Sequence, residues 1–163
     1  MVKPVDALTA LRVPLAVAFL LIESAPVRLV VVMVAAVSDV VDGIWARHRG
    51  SSRIGPVLDP VCDKLFVASA FAVVLRAGAL SVPEVVGVLL RDLSAVLGFL
   101  TTALLHRPTT LPARAGGKLV TVGQILTLVA FLAGSELVRP LAWATAGISL
   151  YAIYDYTRVA LHA

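Results

Sequence analysis

Cysteine is almost absent from this chain. The single one, Cys62, excludes an internal disulfide and any cage of thiolates around a metal. Charge is scarce too, at 15% of residues, and acids are scarcer than bases, 10 against 14. What fills the chain is aliphatic: 60% of the 163 residues are hydrophobic and the mean hydropathy is +0.96, against about half apolar in soluble domains. An ordinary soluble domain is thereby excluded. So is disorder, since a chain this apolar has ample surface to bury against its ordering entropy. If each apolar stretch is a membrane helix of about 20 residues, the length accommodates six with short connections and little left over. The expected fold class is all-α, an integral membrane protein of six transmembrane helices forming one domain over residues 1–163.

Apolar runs predict the spans at Leu8 to Ile22, Val27 to Ala46, Val57 to Ala77, Val82 to Leu105, Leu119 to Leu137 and Leu141 to Ala160. Turn signals separate them: Glu23-Ser24-Ala25-Pro26, Arg49-Gly50-Ser51-Ser52, Ala77-Gly78 with Pro83, the stretch from Pro108 to Gly117, and Arg139-Pro140. Lys3 ahead of the first run imitates a signal peptide. Pro26, however, directly follows the small residues where cleavage would fall, so this run is read as a retained span.

A net charge of +4 and a pI near 9.7 do not point to nucleic acid, because the basic residues are spread between apolar runs rather than massed on one face. They fit topology control instead. Lys3, Arg12, Arg47, Arg49, Arg53, Arg107, Arg114, Lys118 and Arg158 gather at the termini and at the second and fourth connections, while Arg28, Arg76 and Arg139 mark the other side. The positive-inside rule makes the termini and the long basic connections cytoplasmic.

Spans two and three break the apolar pattern with Asp39, Asp42, Asp59 and Asp63. On insertion scales each carboxylate at membrane depth costs about 2.5 to 3.5 kcal/mol, so four together require partners, water or cations. Asp39 and Asp42 are i, i+3 and Asp59 and Asp63 are i, i+4, so each pair shares a helix face. Two facing pairs make a cage of carboxylates, a donor set suited to Mg²⁺ or Mn²⁺ rather than zinc. Eight residues separate Asp39 from Arg47, about 12 Å along a helix, which sets the cage just under the cytoplasmic surface. Gly43, Ala46 and Gly55 allow close approach to the backbone, and Arg47 can meet a phosphate. The bland alternative is a buried ion network with Lys64 and the loop arginines, which leaves the three small residues unexplained.

The run DVVDGIWAR, seven residues, then GPVLDPVCD resembles the signature of the CDP-alcohol phosphatidyltransferase family. Its fixed positions are filled by Asp39, Asp42, Gly43, Ala46, Arg47, Gly55, Asp59 and Asp63. The seven-residue spacer is shorter than the family's usual eight or nine. DALTALR near the start, the LDPVCDKLF run, Arg91-Asp92 and the GKLVTVGQ segment also resemble family habits, so the likeness covers most of the chain. It implies two divalent cations, Mg²⁺ or Mn²⁺, held by Asp39, Asp42, Asp59 and Asp63. It implies a CDP pocket formed by Asp39, Asp42, Gly43, Ala46, Arg47 and Gly55, and Asp63 as the catalytic base. The expected donor is CDP-diacylglycerol, the expected product besides lipid is CMP, and a homodimer is the family habit.

Arg91, Arg114 and Lys118 are the cations expected near a phosphorylated acceptor, with glycerol 3-phosphate as the leading one. Phosphatidylglycerophosphate synthases tend to carry Arg-Glu where this chain has Arg91-Asp92, and a second lysine where it has Val120. Phosphatidylglycerol, giving cardiolipin, therefore stays open as acceptor, as does inositol phosphate. Arg91-Asp92 can equally partner a group on another helix, and Arg114 and Lys118 can be membrane anchors. His48, His106 and His162 read as solvated interface residues, Cys62 as a small packing residue, and Trp45, Trp143, Tyr151, Tyr154 and Tyr156 as interface or packing aromatics. Outside the enzyme class stands a cation-coupled transporter with an acidic intramembrane site. It would predict broken helices or inverted repeats, which the hydropathy pattern lacks.

Overall fold

The computed structural model describes the backbone of residues 12–49, 55–104 and 115–160, and side chains over 12–38, 41, 62, 64–98 and 116–158. Six helices account for nearly all of it: α1 Arg12–Leu21, α2 Ala25–Arg49, α3 Gly55–Arg76, α4 Val82–Leu104, α5 Ala115–Leu132 and α6 Val138–Ala160. The described residues contain no strand, so the chain is all-α as expected. The helices fall into two compact units, Met1–Arg76 and Ala77–Ala163.

In the first unit α1 packs chiefly on α3 and also meets α2. Phe19, fully buried, stands edge-on to Phe66 with centroids 6.1 Å apart and rings at 70°, the arrangement that sets a positive ring edge against a negative face. Ala70, Phe71 and Val74 continue the buried face of α3, and Cys62 is buried on it, in keeping with a packing role. Arg28 closes the corner between α1 and α2. Its Nε donates to the Phe19 carbonyl at 3.2 Å while the guanidinium lies 5.5 Å from the Phe19 ring centroid, satisfying one of the carbonyls that a helix end leaves free.

In the second unit α6 lies against both α4 and α5, and small residues let it. A Cβ on Gly87 of α4 would come within 3.0 Å of the Ala146 Cβ, and one on Gly116 of α5 within 3.1 Å of the Ala152 Cβ. Glycine at these points permits backbones to approach more closely than side chains would allow. At the start of α4 the Glu84 carboxylate reaches back over Ser81: the Ser81 N–H donates to Glu84 Oε2 at 2.7 Å and the Ser81 hydroxyl donates to the same oxygen at 2.8 Å. Arg139 Nε, at 3.9 Å from Glu84 Oε1, ties the start of α6 to the same carboxylate.

Helix ends agree with the apolar runs to within a few residues except around α5. The run predicted over Leu119 to Leu137 is helical from Ala115 and stops at Leu132. Gly134, with φ of 64°, ends it in a Schellman motif: its N–H donates to the Phe131 carbonyl at 3.1 Å and the Ser135 N–H to the Ala130 carbonyl at 2.9 Å. The turn expected at Arg139-Pro140 therefore lies earlier, and Pro140 sits inside the first turn of α6, where a missing N–H costs nothing. Among the described residues no helix is long and apolar enough to cross a membrane.

Candidate active site

Asp39, Asp42, Gly43, Ala46 and Arg47 fall on α2, and Gly55, Asp59 and Asp63 on α3. The backbone is helical through both aspartate pairs, so the i, i+3 and i, i+4 spacings put each pair on one face of its helix. The side chains of all eight residues lie outside the described residues. Among the described residues no three potential metal ligands come together.

The second unit carries a polar cluster in full detail. Gln124 of α5 is buried, and its Nε2 donates both to Asp92 Oδ2 at 2.7 Å and to the Val88 carbonyl at 3.2 Å. Asp92, also buried, receives Arg91 Nη1 on its other oxygen at 3.1 Å. Adjacent residues on a helix point about 100° apart and do not ordinarily face one another. The guanidinium must therefore fold across α4 toward α5 to make this contact.

There it meets a glycine. A Cβ on Gly117 would fall 2.5 Å from Arg91 Nη2 and 3.3 Å from the Tyr156 hydroxyl, so only a residue without a side chain leaves this space open. The guanidinium also hydrogen-bonds the Tyr156 hydroxyl. One arginine from α4 is thus held by its neighbour and by the far end of α6, in the space that Gly117 of α5 leaves open. Its side chain remains 20% exposed.

Of the three cations expected at an acceptor, Arg91 sits in this cluster and Lys118 follows Gly117 directly on the same first turn, exposed. Arg114 lies outside the described residues. The alternative reading of Arg91-Asp92, as a partner to a group on another helix, is met through Gln124. Val120, where a second lysine was the expectation for one branch of the resemblance, is fully buried. A lysine there would have to bury its charge. Two members of the cluster escaped the sequence reading. Gln124 carried a signal, an amide within an apolar run; Tyr156 carried none that separated it from Tyr151 and Tyr154.

The described site is thus a guanidinium from α4 set beside α5 by a buried carboxylate and amide. Comparison with known proteins narrows the class. The family model described as CDP-alcohol phosphatidyltransferase matches residues 5–152, and the chain belongs to that family and is an enzyme of its class. Among relatives, a protein of Escherichia coli strain K12 named CDP-diacylglycerol--glycerol-3-phosphate 3-phosphatidyltransferase is 33% identical over 162 residues, covering 88% of this chain and 82% of the relative. A Shigella sonnei protein of the same name matches with the same identity and coverage. One of the same name from Mycoplasma pneumoniae is 30% identical over 101 residues, 61% of this chain, which spans less than half of that relative at 44%.

Proposed function

We propose that this protein transfers a phosphatidyl group from CDP-diacylglycerol to glycerol 3-phosphate, giving phosphatidylglycerophosphate and CMP. The observation that carries it is the match along 88% of the chain to a relative named for that reaction, together with a complete aspartate signature at 39–63. Asp39, Asp42, Asp59 and Asp63 hold two divalent cations, Mg²⁺ or Mn²⁺, and Gly43, Ala46, Arg47 and Gly55 complete the CDP pocket with Asp39 and Asp42. The bound ions supply charge neutralisation on the diphosphate and on the departing oxygen. Asp63 takes the proton from the acceptor hydroxyl, whose oxygen forms a bond to the phosphorus nearest the lipid as the bond from that phosphorus to the CMP oxygen breaks. Arg91, Arg114 and Lys118 bind the acceptor phosphate. The cradle of Arg91 beside Gly117 supports this role, because it fixes the guanidinium of a partly exposed side chain next to α5.

The six helices span the membrane as a single functional domain, with both termini and the catalytic centre on the cytoplasmic side, in a homodimer. The broad exposure of large apolar side chains supports a lipid environment: Val30, Val37, Leu97, Leu150 and Tyr151 are all more than half exposed. Soluble proteins rarely leave so many large apolar side chains in water.

The test is CMP release from CDP-diacylglycerol by the purified protein with Mg²⁺ or Mn²⁺, against glycerol 3-phosphate, phosphatidylglycerol, inositol phosphate and serine. Release that depends on glycerol 3-phosphate is expected. Release only with phosphatidylglycerol or inositol phosphate replaces the acceptor, and ion flux without CMP release replaces the class with a transporter.

A further inference from the structure

We propose that Asp92, Gln124 and Tyr156 are positioning residues that aim Arg91 at an anionic acceptor, with Gly117 as the opening into which the guanidinium is set. The inference rests on the reading of Arg91 as an acceptor ligand and goes beyond it by naming what makes one arginine fit for the task.

An arginine on an isolated helix samples many rotamers, and holding it in one of them opposes a large side-chain entropy. Here Asp92 and Tyr156 hold the guanidinium at two points, and Gln124 holds Asp92, which removes much of that freedom before any ligand arrives. Gln124 fixes Asp92, because its amide spans from the Val88 carbonyl to the carboxylate and leaves Oδ1 turned toward Arg91. Asp92 draws the guanidinium off its own helix face through Nη1. Tyr156, from the far end of α6, accepts from it beside Gly117. An interaction with an anion then costs little further ordering. Gln124 itself is buried, and its hydrogen bond to Asp92 is its link to Arg91.

The experiment measures steady-state CMP release by the full-length protein, varying glycerol 3-phosphate at saturating CDP-diacylglycerol and then the reverse. It uses Gln124→Leu, Tyr156→Phe, Arg91→Ala and the two doubles that add Arg91→Ala. Gln124→Leu and Tyr156→Phe are each expected to raise the acceptor KM about tenfold while kcat and the KM for CDP-diacylglycerol change by less than about twofold. In the Arg91→Ala background both are expected to add nothing, since residues acting through one partner are not additive. Single effects that persist undiminished in that background overturn the inference, because they mark a structural role. Unchanged acceptor KM in Tyr156→Phe and Gln124→Leu, with a raised KM in Arg91→Ala, also overturns it and leaves Arg91 as a ligand. An unchanged acceptor KM in Arg91→Ala removes Arg91 from the acceptor site and takes the inference with it. Tyr156→Phe deletes a single oxygen, so it serves as the readout should Gln124→Leu fail to fold.

Discussion

Gly117 and Arg91 stand so close that a methyl group on the glycine would lie 2.5 Å from Nη2 of the arginine and 3.1 Å from Cζ. Both atoms belong to a planar group held at two other points, by Asp92 and by Tyr156, so it cannot swing aside without breaking one of them. Gly117→Ala is therefore expected to raise the acceptor KM by about tenfold or more, as small displacements of a positioned group do. Thermal stability should fall much less than acceptor affinity, which a parallel melting curve checks.

Gly123 and Thr145 form a similar contact with a different consequence. A Cβ on Gly123 would sit 2.5 Å from Thr145 Oγ1 and 3.1 Å from its Cγ2, and the Thr145 hydroxyl is already committed to the Leu141 carbonyl at 2.7 Å. Gly123→Ala should destabilise the α5–α6 packing by about 1–3 kcal/mol, the usual cost of overpacking. Adding Thr145→Ala should restore part of the loss, and thermal unfolding of the solubilised protein measures both.

Asp63→Asn keeps the size of the side chain and removes its capacity to take a proton. CMP release should fall by about 10² to 10⁴, the range of a general base, while binding of CDP-diacylglycerol is largely retained. A variant with full turnover would take Asp63 out of the mechanism.

Chelation offers a separate check on the four aspartates. Treatment with EDTA should bring CMP release to background, and Mg²⁺ or Mn²⁺ should restore it. Zn²⁺ should not, since an all-carboxylate site favours hard cations.

The four aspartates stood out in the sequence for a physical reason, while their side chains lie outside the described residues. Carboxylates in an apolar run are costly, so Asp39, Asp42, Asp59 and Asp63 announce themselves wherever the chain folds, and helical periodicity alone pairs them. Val120 was not legible in the same way. Its replacement of an expected lysine suggests a change of acceptor, whereas its full burial in α5 makes it a packing residue. Gly134 carries a local signal that hydropathy hides. The apolar run continues to Leu137, but a left-handed glycine lets the chain close a Schellman motif and stop five residues earlier, because backbone hydrogen bonds at a helix end outweigh the hydrophobicity of the residues beyond it.

By itself the amino-acid sequence determined the all-helical class, the approximate helix limits and the aspartate pairs, because these depend on hydropathy and on periods of three and four residues, which are local quantities. Only the tertiary structure decided the partners of Arg91. Nothing in the spacing of Asp92, Gly117, Gln124 and Tyr156 brings them together. They meet because glycines and alanines let α4, α5 and α6 pack closely, and because a buried carboxylate must find donors in whichever helices packing sets beside it.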